Sequence, residues 1–289
     1  MDGWYLYTLF ALMAFGLQRF LYKVSAERKC NTAWTTFTFM GTVTVLSTFF
    51  FFSLDETVTG ISFLIVISLI NSISFLCGTI TTIEALKYVS TSIAYPLIRL
   101  NTAIVVIFSI IYFKDNPSMY QIAGILLAIT VICLLTRHNG DDDQQNTLKK
   151  NTKVGFTLVF VALFSGAFAA ISSKFAATHT NLLGFMALSY AMSTIFSFTL
   201  RNRLQGREEN PNHGDAIAIG VIMGVVNFMG FYSLLKALSV GPLSLIISMT
   251  GLYFAVAIML SALIYKERLT TVRITGIAMT IVSITLMRL

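Results

Sequence analysis

One arginine stands alone in a long apolar run. Between Lys87 and Lys114 the single ionic side chain is Arg99, within Tyr95-Pro96-Leu97-Ile98-Arg99-Leu100-Asn101. A guanidinium carries five donors in a planar fork that matches the oxygens of a carboxylate or phosphate. On a helix, Tyr95, Arg99 and Thr102 share a face by i, i+4, i+7 spacing. Pro96 removes a backbone donor and frees the carbonyl near Ser92, so a local break is expected there. Glu84 is the one acid in comparably apolar company. Three roles for Arg99 stay open: holding an anion in a cavity, pairing with Glu84 across a short turn, or snorkelling to an interface.

The surroundings say what must position these residues. Of the 289 residues, 56% are hydrophobic and only 11% charged, against about 25% charged in a soluble domain. No Asp, Glu, Lys or Arg occurs between Lys29 and Asp55, Glu56 and Glu84, Asp115 and Arg137, or Lys153 and Lys174. The same holds from Lys174 to Arg201, Asp215 to Lys236 and Lys236 to Lys266. Each run is about the length that crosses a bilayer as a helix. A transmembrane barrel would instead show segments of about 10 residues with strict alternation. The pattern predicts an all-α polytopic membrane protein with ten spans: 4–23, 33–52, 61–86, 91–113, 117–136, 153–174, 182–200, 215–236, 242–265 and 271–288. The first segment lacks a basic n-region and is not read as a signal peptide.

The chain repeats itself. A shift of 152 positions lays Ala85–Arg137 on Ala237–Leu289 without a gap, with about a quarter of positions identical. Lys114-Asp115 then meets Lys266-Glu267, and Gly124 meets Gly276. A looser match pairs Lys23 with Lys174. The expected units are a five-helix repeat over 1–137, a polar linker over 138–152 containing Asp141-Asp142-Asp143, and a second repeat over 153–289. Five spans per copy is odd, so the copies enter the membrane from opposite sides, as in inverted-repeat transporters whose site lies near the midplane. The loops after the odd-numbered spans hold fourteen Lys and Arg against four on the other face. That asymmetry puts the odd loops in the cytoplasm and both termini outside.

Ala85-Leu86-Lys87-Tyr88, Ala237-Leu238, and the Lys114-Asp115 and Lys266-Glu267-Arg268-Leu269 turns, each followed by a helix with Gly124 or Gly276, carry a resemblance. The chain resembles the drug/metabolite transporter superfamily, and within it the EamA-type ten-helix exporters. That resemblance implies a two-repeat basket around a cavity that alternates between membrane faces, and substrates among amino acids, other metabolites, nucleotide sugars and drugs. Four-helix multidrug relatives carry a proton-coupling glutamate in helix one. Here that helix offers Gln18 and Arg19, which disfavours proton-coupled export of cations.

The repeat register sets Gly251 opposite Arg99 and Lys236 opposite Glu84, giving one charged wall and one open wall. Asn101 and Thr102, with Gln18, Asn71, Asn227, Tyr232 and Tyr253, are further candidates to line a cavity, or else hydrogen-bond between helices. Gly220, Gly224 and Asn227 share a helix face in a close-packing spacing. Arg19 is read as snorkelling beside Lys23. Three cysteines without a CxxC, and isolated His138, His179 and His213, give no disulfide framework and no metal site. Neither a Walker loop nor HExxH nor GxSxG is present, so no cofactor and no enzyme chemistry is expected.

The expectation is a secondary transporter, an exporter by resemblance, of an amino acid or organic anion across the cytoplasmic membrane. Arg99 takes the anionic end and Glu84 is the one carboxylate placed to couple or pair. The partners are a small-molecule substrate and the lipid bilayer, not nucleic acid, and a monomer suffices. The alternatives are a nucleotide-sugar or phosphorylated-lipid carrier, a lipid-modifying membrane enzyme, and a non-transporting membrane protein.

Overall fold

A backbone in hydrocarbon must satisfy its own N–H and C=O groups within the segment, and each uncharged run accordingly folds as a helix. The computed structural model describes residues 3–55, 57, 60–85, 88–89, 94, 97–139, 152–199, 213–266 and 270–289. These form α1 (Gly3–Glu27), α2 (Thr32–Ser53), α3 (Ile61–Ala85), α4 (Asn101–Phe108), α5 (Met119–Asn139) and α6 (Thr152–His179). Then follow α7 (Leu182–Thr199), α8 (His213–Val240), α9 (Leu243–Gly251), α10 (Tyr253–Tyr265) and α11 (Thr271–Arg288). The α9–α10 pair makes up the ninth span, so ten spans are represented. Among the described residues seven helices are long and apolar enough to cross a membrane. The first is not one of them, because it carries Gln18, Arg19 and Lys23. Phe49, Phe52, Ile111 and Phe168 are among many large apolar side chains left exposed, as lipid contact requires.

Local chemistry sets the ends. Asn31 caps α2 by accepting from the Trp34 amide at 3.0 Å, and Thr270 caps α11 through the Arg273 amide. Lys114 and Lys266 both close their spans in the left-handed conformation, at φ 55° and 54°. That is a costly region for a side chain with a Cβ, adopted at equivalent places in the two repeats. The Thr-rich face of α2 stays satisfied because Thr38, Thr42 and Thr44 donate to the carbonyls of Trp34, Thr38 and Met40.

Two spans are not continuous helices. The ninth breaks at Leu252, whose ψ of 2° leaves the helical range, and the described part of the fourth breaks at Leu100, with ψ −7°. Residues 100 and 252 are equivalent under the 152-residue shift, so both breaks sit at one pseudo-symmetric depth. Gly251, the weakest helix former within α9 and α10, precedes the second break. The break expected around Pro96 and Ser92 lies outside the described residues. Beyond α4, Ser109–Phe113 widens into a π-helical turn.

Packing repeats the two-fold relation. The α2–α7, α4–α9 and α5–α11 contacts pair equivalent elements, while α3–α6 answers α1–α8 and α3–α7 answers α2–α8. The glycines show it at atomic detail. A Cβ on Gly124 would stand 2.8 Å from Met287 Cγ, and one on Gly276 would stand 2.5 Å from Leu135 Cδ2. Leu135 and Met287 are themselves equivalent, so each repeat inserts its side chain into the other's glycine notch. On α8, Gly220 and Gly224 bring α2 equally close, against Thr38 and Thr42. The chain is an all-α membrane protein of two inverted five-span repeats.

Candidate functional site

The two helix breaks open a cavity of about 150 Å³, walled by Arg99, Asn101, Thr102, Thr250, Gly251 and Tyr253, with Phe15 on α1 and Ala170 on α6. A space of that size holds a benzene-sized group. The structure thus brings Arg99, Asn101, Thr102, Gly251 and Tyr253 to one place. α4 and α10 both begin at the breaks, and neither Leu100 nor Leu252 supplies a side-chain cap.

Arg99 is held by aromatic groups. Its Nη2 donates to the Tyr253 hydroxyl. Its guanidinium carbon lies 5.3 Å from the centre of the Tyr253 ring and 4.6 Å from that of Phe254. Those two rings stack at 4.4 Å. Each cation–π contact contributes about 0.5–2 kcal/mol and leaves the positive charge uncompensated. The Tyr253 hydroxyl accepts from Arg99 and keeps its own proton to donate to a ligand. Among the described residues the hydrogen bond of Arg99 goes to Tyr253, not to Glu84. Glu84 lies half-buried at the end of α3.

Arg19, expected to snorkel beside Lys23, has aromatic partners. It lies against the same Phe254 ring, at 5.4 Å, and against Tyr22 at 5.9 Å. Residue identity alone concealed this, but Phe15, Gln18, Arg19 and Tyr22 form one helical stripe on α1, and that stripe was the available signal. Phe254 and Tyr190 were likewise not foreseen. Tyr190 donates to Asn227 Oδ1 at 2.6 Å and Asn227 Nδ2 donates to Gln18 Oε1 at 2.9 Å. The amide of Gln18 also meets the Tyr22 hydroxyl. Gln18 and Asn227 thus belong to a hydrogen-bonded chain linking α7, α8 and α1, beside the arginines.

The remaining candidates lie elsewhere. Asn71 spends its amide donors on the Ala169 carbonyl and the hydroxyls of Ser172 and Ser173, fastening α3 to α6. Tyr232 stacks on Phe228 and receives Lys236 over its ring. Gly251 has two duties: it borders the cavity, and a Cβ there would stand 2.9 Å from Ile132 Cδ1. Tyr95 lies outside the described residues. A wider hollow between α2 and α8, about 330 Å³, is lined by apolar groups and by Thr38 and Thr42, whose hydroxyls serve their own helix. Among the described residues no His, Cys, Asp and Glu come together in a set that would hold a metal.

The two broken spans are tied together at one end. Asp115, just past the fourth span, accepts from the Ser244 amide at 3.0 Å, the Ser244 hydroxyl at 2.8 Å and the Ser109 hydroxyl. It thereby joins the end of one broken span to the start of the other. Beside it Lys174 donates to the carbonyls of Leu238 and Gly241 at 2.6 and 2.8 Å, closing the end of α8.

The profile of the EamA-like transporter family matches residues 2–137 and 153–289, one match on each repeat. The chain belongs to the EamA-like transporter family. A solved crystal structure of a protein is similar over 97% of this chain and 95% of its own, with a TM-score of 0.77. At 12% identity that similarity shows the fold alone. No curated protein matches the chain. As an EamA-like chain it is a multi-pass membrane transporter of the drug/metabolite type.

Proposed function

We propose that this EamA-like chain is a secondary transporter, working as a monomer in the cytoplasmic membrane, that exports a small carboxylated metabolite such as an amino acid or organic anion. The observation that carries the reading is Arg99, half-buried at the junction of two broken spans, bonded to Tyr253 and with no ion pair among the described residues. A cation at that depth costs about 2.5–3.5 kcal/mol on insertion scales, which a structural role would recover by pairing it with an acid. The guanidinium takes the carboxylate in a bidentate grip, and the Tyr253 hydroxyl donates a further bond. The open wall at Gly251 receives the rest of the molecule.

Transport follows from rocking one repeat against the other around this site. The Lys and Arg count places the odd loops in the cytoplasm and the termini outside. The Asp115 and Lys174 ties then seal the outer face. Residues 1–137 and 153–289 act as the two rocking units, with 138–152 as the tether.

Thermal unfolding of the purified chain against carboxylates, zwitterions and cations tests the reading. A ligand at a hundred times its dissociation constant stabilises by about 2.7 kcal/mol. Carboxylates are expected to raise the melting temperature of the wild type and not that of a folded Arg99→Ala variant. Stabilisation by cations alone refutes the proposal.

A further inference from the structure

Arg99 is not the only cation against Phe254. Arg19, on α1 of the same repeat, shares that ring with it, at 5.4 Å against 4.6 Å. The two guanidinium carbons are therefore no further apart than those two distances laid end to end. Neither has an ion pair among the described residues. An aromatic face answers part of one positive charge, not two. A pair of like charges inside an apolar bundle calls for negative charge from elsewhere.

The direction toward the odd loops is already occupied by Lys23, which donates to Ser261 Oγ at 2.7 Å and lies over Tyr265 at 5.1 Å. Ser261 stands two turns beyond Phe254, about 10 Å along α10, although Lys23 is only one turn beyond Arg19. The equivalent stretch of the second repeat has Ala170 and Lys174, with Lys174 consumed by two carbonyls. The second cation is therefore a feature of one wall only.

We propose that Arg19 forms a second anion subsite across Phe254 from Arg99, so that the cavity selects short compounds with two acidic groups, such as dicarboxylates or acidic amino acids. The proposal rests on the reading of Arg99 as the anion anchor. One carboxylate sits on Arg99 and Tyr253. The other reaches Arg19, with the Tyr22 ring and the hydroxyl chain beside it.

The test compares isosteres on the full chain in nanodiscs near neutral pH: succinate against succinamate, and glutamate against glutamine. Each member of a pair has the same size, and only one carries the second carboxylate. The wild type is expected to bind the doubly acidic member about tenfold tighter, as a desolvated charge-assisted contact gives. Arg19→Gln is expected to erase that preference and leave the mono-amide affinity within about twofold, whereas Arg19→Lys keeps it. Arg99→Gln is expected to abolish both. Equal affinity for both members in the wild type, or a preference that survives Arg19→Gln, overturns the second subsite. In that case loss of binding in Arg99→Gln leaves the anchor standing. Should Arg99→Gln bind like the wild type, or neither member bind saturably, the anchor and the second subsite both fall. The wild-type isostere comparison needs no variant to fold.

Discussion

Asp115 offers the sharpest handle on the conformational claim. Its carboxylate accepts three hydrogen bonds, two from Ser244 at the start of α9 and one from Ser109. A bond to a charged group contributes about 1.5–3 kcal/mol, but the two hydroxyls can turn to nearby carbonyls or water when the acceptor is gone. The Ser244 amide, in the first turn of α9, has no such freedom. Asp115→Ala should therefore disfavour the tied arrangement by about 2–3 kcal/mol, a shift of roughly a hundredfold in the balance between two states. Asp115→Asn keeps an acceptor and loses the charge, so about half that free energy is expected. The assay is labelling of Thr102→Cys, on the cavity wall, by an impermeant maleimide applied to the face bearing Asp115. Cys30, Cys77 and Cys133 are first replaced. Faster labelling in Asp115→Ala, with Asp115→Asn between it and the parent, is the expected order. Unchanged rates in a variant that melts like the parent would refute the idea that this carboxylate holds the face closed.

Two further outcomes follow from packing and polar satisfaction. A Cβ at Gly224 would stand 2.5 Å from Thr42 Cβ and 2.9 Å from the Phe39 carbonyl, so Gly224→Ala should separate α8 from α2 at a cost of about 1–3 kcal/mol, read as a lower melting temperature. Asn227→Leu strands the hydroxyl of Tyr190 and the amide of Gln18 and should destabilise by about 1–3 kcal/mol, with Asn227→Gln recovering part of the loss in the same melt.

Much of the fold was legible because bilayer physics leaves few solutions. Charge-free runs of span length can only be helices, and the 152-residue register related Gly124 to Gly276 before their reciprocal notches were seen. The same register set Arg99 against Gly251, which is why five of the candidate residues share one cavity. The break at Leu252 was not legible, since it is a matter of backbone torsion decided by neighbours and carries no proline. Asn71 looked as good a cavity residue as Asn101. Only the position of the Ala169 carbonyl and two serines on α6 sends it elsewhere. The contact of Arg19 with Phe254 was not legible, because the ring lies 235 positions further along the chain and Lys23, one turn away, suggests a common interfacial fate.

The account stands or falls on Arg99 as the group that carries an anion across. The most direct measurement is exchange of radiolabelled glutamate and succinate, beside leucine and a cationic amine, in proteoliposomes holding the wild type, Arg99→Gln or Tyr253→Phe. Carboxylate exchange in the wild type, reduced about a hundredfold in a folded Arg99→Gln and several-fold in Tyr253→Phe, is the predicted result. Undiminished exchange by Arg99→Gln, or flux of the cationic amine alone, would contradict it.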